Sequence, residues 1–391
     1  MTPAPPPRQR RRRRWPFIVV GAVLVVVLAV VVTGAVVLKR APSVSSLSEA
    51  HAGAWSSVTL GSPARNGDGS AYNIFVKPGT GKGLMVFFGD GGLNFTAETA
   101  VQPVSLATTI FGGDNFYSDH LPFYEVNTFG GLLSASDQNP FAGYTTVVIP
   151  TTTGDLGVGD TTTSTVSKGG QAATSVFNGY ANTRAALDWV YANVPSPDTV
   201  MVAGTGTGGL SSAIWLGDVG AHYRTQPLTE YSDSSFIEAS SFPIVIDGVW
   251  QANFEHRFGF SPTRSPLTAA TVYNTGLFGS RLTTLLSQTL LDRSSAAFSA
   301  ELDDGYYSPQ AGADWNFQLK SALRTLTASD VGATVFVTNY GADAHGETPG
   351  LLATGDLFGS ATQDGVTLEQ FVTRAVQGGH PVSAGLALLE Q

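Results

Sequence analysis

Residues Thr199 to Ser212 read TVMVAGTGTGGLSS, and no other stretch narrows the possible fold as much. An apolar run containing β-branched Val200 and Val202 leads into clustered glycines and then into a helical segment. Strand, sharp turn and helix are the layout of the nucleophile elbow, whose signature is G-x-S-x-G. The five positions here are Gly204, Thr205, Gly206, Thr207 and Gly208, so a glycine stands where the nucleophile belongs. Glycine tolerates the strained backbone of that position, so the turn persists without its side chain.

The rest of the chain supplies a matching frame. Leu84 to Phe88, Thr145 to Pro150, Thr199 to Ala203, Pro243 to Ile246 and Ala333 to Thr338 are short apolar runs. Such runs are expected of strands buried on both faces of a parallel sheet. Between them, Ser175 to Val194 sets Val176, Tyr180, Thr183, Leu187, Val190 and Val194 along one helical stripe, which Pro195 and Pro197 stop. Leu267 to Leu291 also reads as largely helical. The alternation predicts an α/β fold of three layers with a mostly parallel central sheet. Its ligand site belongs beyond the carboxyl ends of the strands.

Ahead of this domain the charge is lopsided. The net charge is −9, yet Arg8 and Arg10 to Arg14 crowd the first fourteen residues, leaving the remainder acidic and unsuited to nucleic acid. Phe17 to Leu38 carries no charged residue. As a helix it spans about 33 Å, enough for a hydrocarbon core of about 30 Å. The upstream arginines outweigh Lys39 and Arg40, which keeps the amino terminus inside. A cleaved signal peptide and a twin-arginine export signal are the rival readings; the apolar run is long for the first. The expected organisation is a cytoplasmic tail over 1–16, a single transmembrane anchor over 17–38, a linker over 39–56 and an extracytoplasmic domain over 57–391. Cysteine is absent, excluding disulfides and thiolate chemistry and pointing to a bacterial source.

Three glycine- or threonine-rich turns follow strands. They are Phe88-Gly89-Asp90-Gly91-Gly92-Leu93, the polar stretch Thr151 to Asp160, and the elbow. Glycines in the first let backbone N–H groups approach a developing oxyanion, with Gly91, Gly92 and Thr207 as the donors. Asn139-Pro140-Phe141, Thr153-Gly154-Asp155, Phe177-Asn178-Gly179, Ala186-Leu187-Asp188-Trp189-Val190 and Asp233-Ser234-Ser235-Phe236 complete the series. In order and spacing, from about residue 80 to about 350, these segments resemble the pectin acetylesterase and Notum family of serine carboxylesterases, which have an α/β-hydrolase-type fold.

Carried over position by position, the resemblance implies a nucleophile at Gly206, an acid at Asn274 in Val272-Tyr273-Asn274-Thr275, and a base at His345. Asparagine orients an imidazole but holds no charge against an imidazolium. Asp343 is the alternative partner for His345. His51, His120, His222, His256 and His380 show no ligand spacing, and Asp160, Asp303 and Asp304 read as loop carboxylates; no metal or cofactor is implied. The chain is therefore expected to be a catalytically inactive pseudoenzyme that keeps a cleft for an acylated glycan, a lipid or an envelope protein. Aromatic Phe116, Tyr117, Phe123 and Tyr124 suit a sugar or acyl group. Two alternatives remain: an esterase or deacetylase with a displaced nucleophile such as Thr207, and a structural cell-envelope protein.

Overall fold

A computed structural model describes residues 40–104, 115–121, 125–328, 330–348, 350 and 352–391. The expected anchor, Phe17 to Leu38, and the aromatic pair Phe123 and Tyr124 lie outside the described residues. Among the described residues no helix is long and apolar enough to cross a membrane. The chain divides into two units. Residues 1–41 with 123–128 form one, of which Arg40, Ala41 and a short 3-10 turn over Glu125–Thr128 are described. Residues 42–122 with 129–391 form the other, which is α/β and carries the site.

Eight strands make its central sheet: β1 (Ser56–Thr59), β2 (Asn73–Lys77), β3 (Gly83–Phe88), β4 (Thr145–Ile149), β7 (Thr199–Thr205), β8 (Leu228–Asp233), β9 (Leu282–Thr289) and β10 (Thr334–Thr338). A separate hairpin pairs β5 (Thr161–Val166) with β6 (Ala172–Phe177). The sheet order is β1-β2-β4-β3-β7-β8-β9-β10. Pairing is parallel from β4 through β10 and antiparallel at β1–β2 and β2–β4.

The central strands β3, β4 and β7 are buried almost along their whole length and mostly apolar, because both faces are covered. Edge strand β1 alternates instead, with Ser56 and Val58 inward. The main helices are α1 (Gly179–Asn193), α2 (Thr207–His222), α3 (Pro266–Phe278), α4 (Arg293–Leu302), α5 (Pro309–Thr327) and α6 (Leu368–Val376). Helix α2 packs on β7 and β8, and α3 packs on α2. In β10, Val335 and Val337 join the core that contains Val202 and Leu210. Phe336 points the other way and meets Phe371 of α6 with ring centroids 5.6 Å apart, so helices cover both faces.

Three expectations change. Pro243 to Ile246 is helical, Phe242–Ile244 running into a wider turn over Val245–Val249, with Pro243 in the first turn where its missing N–H costs nothing. The expected long helix from Leu267 to Leu291 is α3 followed by strand β9. Leu282, Leu285 and Leu286 carry helical spacing, but Gly279 (φ +51°) ends the helix and Thr-rich β9 enters the sheet between β8 and β10. Strand β8, LTEYSD, has no apolar run at all; its Glu230, Ser232 and Asp233 are nonetheless buried, with Ser232 bonded to Gly209 O of α2 and Asp233 to the Ser287 hydroxyl of β9. The expected linker is also shorter than 39–56. Val44 and Leu47 pack on the core, Ser45 O accepts from Trp189 Nε1 at 3.1 Å, and Leu47 N donates to Asn193 Oδ1 at 3.0 Å.

Candidate functional site

The elbow forms where expected. Strand β7 ends at Thr205, Gly206 adopts φ +55° and ψ −129°, and α2 begins at Thr207. The positive φ is one that L side chains adopt only under strain. Close packing fixes the turn: a Cβ on Gly208 would lie 2.3 Å from the Phe88 carbonyl oxygen.

Register then decides what faces the vacant position. Phe88 pairs with Gly204 across the parallel β3–β7 ladder, so two residues further on Asp90 stands beside Gly206. Asp90 Oδ1 accepts from Thr207 N at 3.1 Å, from the Thr207 hydroxyl at 2.8 Å and from Gly92 N at 3.3 Å. Gly91 N donates to Thr207 Oγ1 at 3.2 Å. The structure thus brings Gly91, Gly92 and Thr207 together, but their N–H groups are already engaged. Helix α2 has no acidic residue in its first turn and no side-chain cap from Gly206, and the Asp90 carboxylate meets its positive end instead.

Asp292 lines this cleft beside Asp90, and Asn274 does not. Asn274 sits on α3, buried, with Nδ2 donating to Ala213 O on α2 at 2.7 Å. It therefore faces the flank of α2 and does not line the cavity at the elbow. Asp292 stands three residues beyond the end of β9 and caps α4, accepting from Ser294 N at 2.9 Å and the Ser295 hydroxyl at 2.8 Å. Burial raises its carboxyl above the ordinary range, the Ser295 and Ser294 hydrogen bonds oppose that, and the neighbouring Asp90 charge adds to it. Asp292→Ala is expected to lower the melting temperature by an amount matching about 1–2 kcal/mol, the loss of an N-cap, as read by thermal denaturation.

His345 lies in the loop after β10, exposed, its N–H bonded to Asp343 Oδ1 at 2.8 Å. Asp343 thus braces the backbone of this turn rather than the ring, since it also accepts from Glu347 N at 3.0 Å. The loop is fastened beside Asp292: Thr348 N donates to Leu291 O at 2.9 Å, and Glu347 binds Arg293 at 3.3 Å and Tyr307 OH at 2.6 Å. The His345 ring makes no hydrogen bond among the described residues and does not line the elbow cavity.

That cavity holds about 160 Å³ and is lined by Asp90, Gly206, Thr207, Asp292, Ser295 and Phe298, among others. A wider cleft of about 500 Å³ shares Asp90 and Phe298 with it and adds Phe116, Tyr117, Arg293 and Glu301. Phe116 and Phe298 meet edge to face at 6.5 Å. Beneath the floor, Asp233 accepts from the Ser287 hydroxyl and from Ala353 N, and burial pushes its carboxyl up to about 7. Among the described residues no three His, Asp or Glu side chains are arranged to hold a metal ion.

The sequence reading missed Asp90 as a participant and Asp292 altogether. A signal existed for Asp292: an aspartate two residues before Ser294-Ser295 at the head of a helical run is an N-cap pattern. No protein-family model matches the chain, and no curated protein matches it significantly.

Proposed function

We propose that this chain is a membrane-anchored extracytoplasmic protein of α/β-hydrolase type, similar to pectin acetylesterases and Notum, that has lost hydrolysis and keeps its cleft for binding. The observation that carries the reading is the elbow itself, where Gly206 offers no side chain, the Asp90 carboxylate occupies the Thr207 and Gly92 donors, and Thr207 Oγ1 occupies that of Gly91. The order elbow, Asp292, His345 along the loops after β7, β9 and β10 supports the hydrolase ancestry, since triad members in that fold follow as nucleophile, acid and base. The arginine-rich tail and the apolar run at 17–38 support the anchor.

Loss of chemistry follows from magnitudes. Without a nucleophile, oxyanion stabilisation and binding leave about 10³–10⁴-fold over water. Here the oxyanion donors are filled as well. Thr207, the nearest hydroxyl, is buried; it donates to Asp90 and accepts from Gly91 N, so its hydroxyl is engaged within the loop. The cleft is large enough for one or two sugar rings or an acyl chain, and its aromatic pair offers faces for either.

The full chain in detergent is expected to show no covalent labelling by a fluorophosphonate probe and no turnover of p-nitrophenyl acetate above buffer. Labelling, or turnover abolished by His345→Ala, overturns the reading. Acylated oligosaccharide or lipid is expected to raise the melting temperature, and a Phe298→Ala variant to lose that shift.

A further inference from the structure

We propose that Asp90 and Gly206 act as one device, a carboxylate lock that fills the nucleophile's volume and holds the oxyanion donors, so that the elbow can regain a reactive side chain only when both residues change. The inference rests on the hydrolase reading of the elbow and goes beyond the loss of the nucleophile.

Steric overlap is the first support. A Cβ built on Gly206 lies 2.6 Å from Asp90 Cγ, 2.7 Å from Oδ2 and 2.8 Å from Oδ1, closer than real Cβ contacts come. Any side chain at 206, serine included, must therefore displace the carboxylate.

The carboxylate does not yield freely. Its Oδ1 takes three donors from two residues, and the backbone that carries it is clamped. A Cβ on the adjacent Gly91 would lie 1.6 Å from Thr151 O, and one on Gly92 2.0 Å from Phe116 O, so the loop has no room to retreat. The third support is electrostatic. Thr207 N–H is the donor that an elbow aims at a tetrahedral oxyanion, and a fixed carboxylate there repels that second negative charge.

The test compares three variants of the full chain in detergent. One is Gly206→Ser alone, the second adds Asp90→Ala to it, and the third adds Asp90→Asn instead. Fluorophosphonate labelling is read at residue 206 by peptide mass spectrometry, and folding by thermal denaturation. A label elsewhere on the unaltered chain sinks the preceding reading and leaves this comparison intact. The expected result is background labelling for Gly206→Ser and for its combination with Asp90→Asn, whose amide fills the same volume. The combination with Asp90→Ala is expected to label about 100-fold faster or more. Its melting temperature is expected to exceed that of Gly206→Ser, because removing the carboxylate relieves the overlap. A Gly206→Ser variant that folds only when Asp90→Ala accompanies it supports the lock equally. The lock is overturned if Gly206→Ser alone labels as fast as it does with Asp90→Ala, or if the combination with Asp90→Asn does so. It is equally overturned if the combination with Asp90→Ala is folded and inert, or fails to fold.

Discussion

Glu230→Gln is expected to remove a fall in stability of about 5 kcal/mol that the native chain undergoes as pH rises from 4.5 to about 8. Glu230 lies on β8 beneath α2, fully buried; Oε1 accepts from the Ser232 hydroxyl, and Oε2 has no partner among the described residues. Burial pushes its carboxyl up to about 8, against 4.5 when solvated, with Ser232 opposing weakly. The sign follows from proton binding. Below pH 4.5 the group is neutral in both states and costs nothing. Between 4.5 and about 8 the unfolded chain releases a proton that the fold retains, so stability falls by about 1.4 kcal/mol per pH unit and then levels off. The amide introduced by Glu230→Gln stays neutral throughout, so the variant's stability curve loses that slope. Asp233, raised to about 7 by burial, slopes the same way in both proteins, so the difference between them isolates Glu230. Denaturant titrations at pH 4 to 9 measure it. Parallel curves for the two proteins would refute the assignment of a neutral buried carboxyl to Glu230.

Gly204→Ala is expected to destabilise the domain by about 3 kcal/mol or more, at the upper end for overpacking. A Cβ there would lie 2.2 Å from Gly208 O, 2.4 Å from Gly208 C and 2.7 Å from Gly209 N. All three are backbone atoms of the first turn of α2, and no rotamer moves them aside. The substitution must therefore lift α2 off β7, opening the elbow and the contacts that hold Asp90. Gly276→Ala supplies the opposite expectation. It sits inside α3 with nothing within 4 Å of the added Cβ, so it is expected to stabilise by about 0.5–1 kcal/mol. Guanidinium unfolding of both variants checks the pair, and equal effects would show that strand–helix contact does not govern the elbow.

Legibility varied with how local the cause was. Strands β3, β4, β7 and β10 were readable because burial on both faces leaves a continuous apolar run. Helix α1 was readable from Gly179 on, because one stripe faces the core and Pro195 follows, but Ser175 to Phe177, read with it as helix, belong to strand β6. Strands β8 and β9 were not readable. Their polar residues are buried against partners distant in sequence, Ser232 against Gly209 O of α2 and Ser287 against Asp233, and no window of neighbouring residues contains those partners. Reading β9 as helix hid the loop that carries Asp292, whereas Asn274 was placed by the family resemblance and packs against α2.

The sequence by itself determined the elbow and its vacancy. Glycines at 204, 206 and 208 after a β-branched run require a tight strand-to-helix turn, and a residue without a side chain supplies no nucleophile. Only the tertiary structure decided what occupies the space above that turn. Asp90 and Thr207 are 117 residues apart, and what joins them is the in-register pairing of Phe88 with Gly204. Local pattern fixes the conformation of each segment; the sheet's register fixes which side chains then meet.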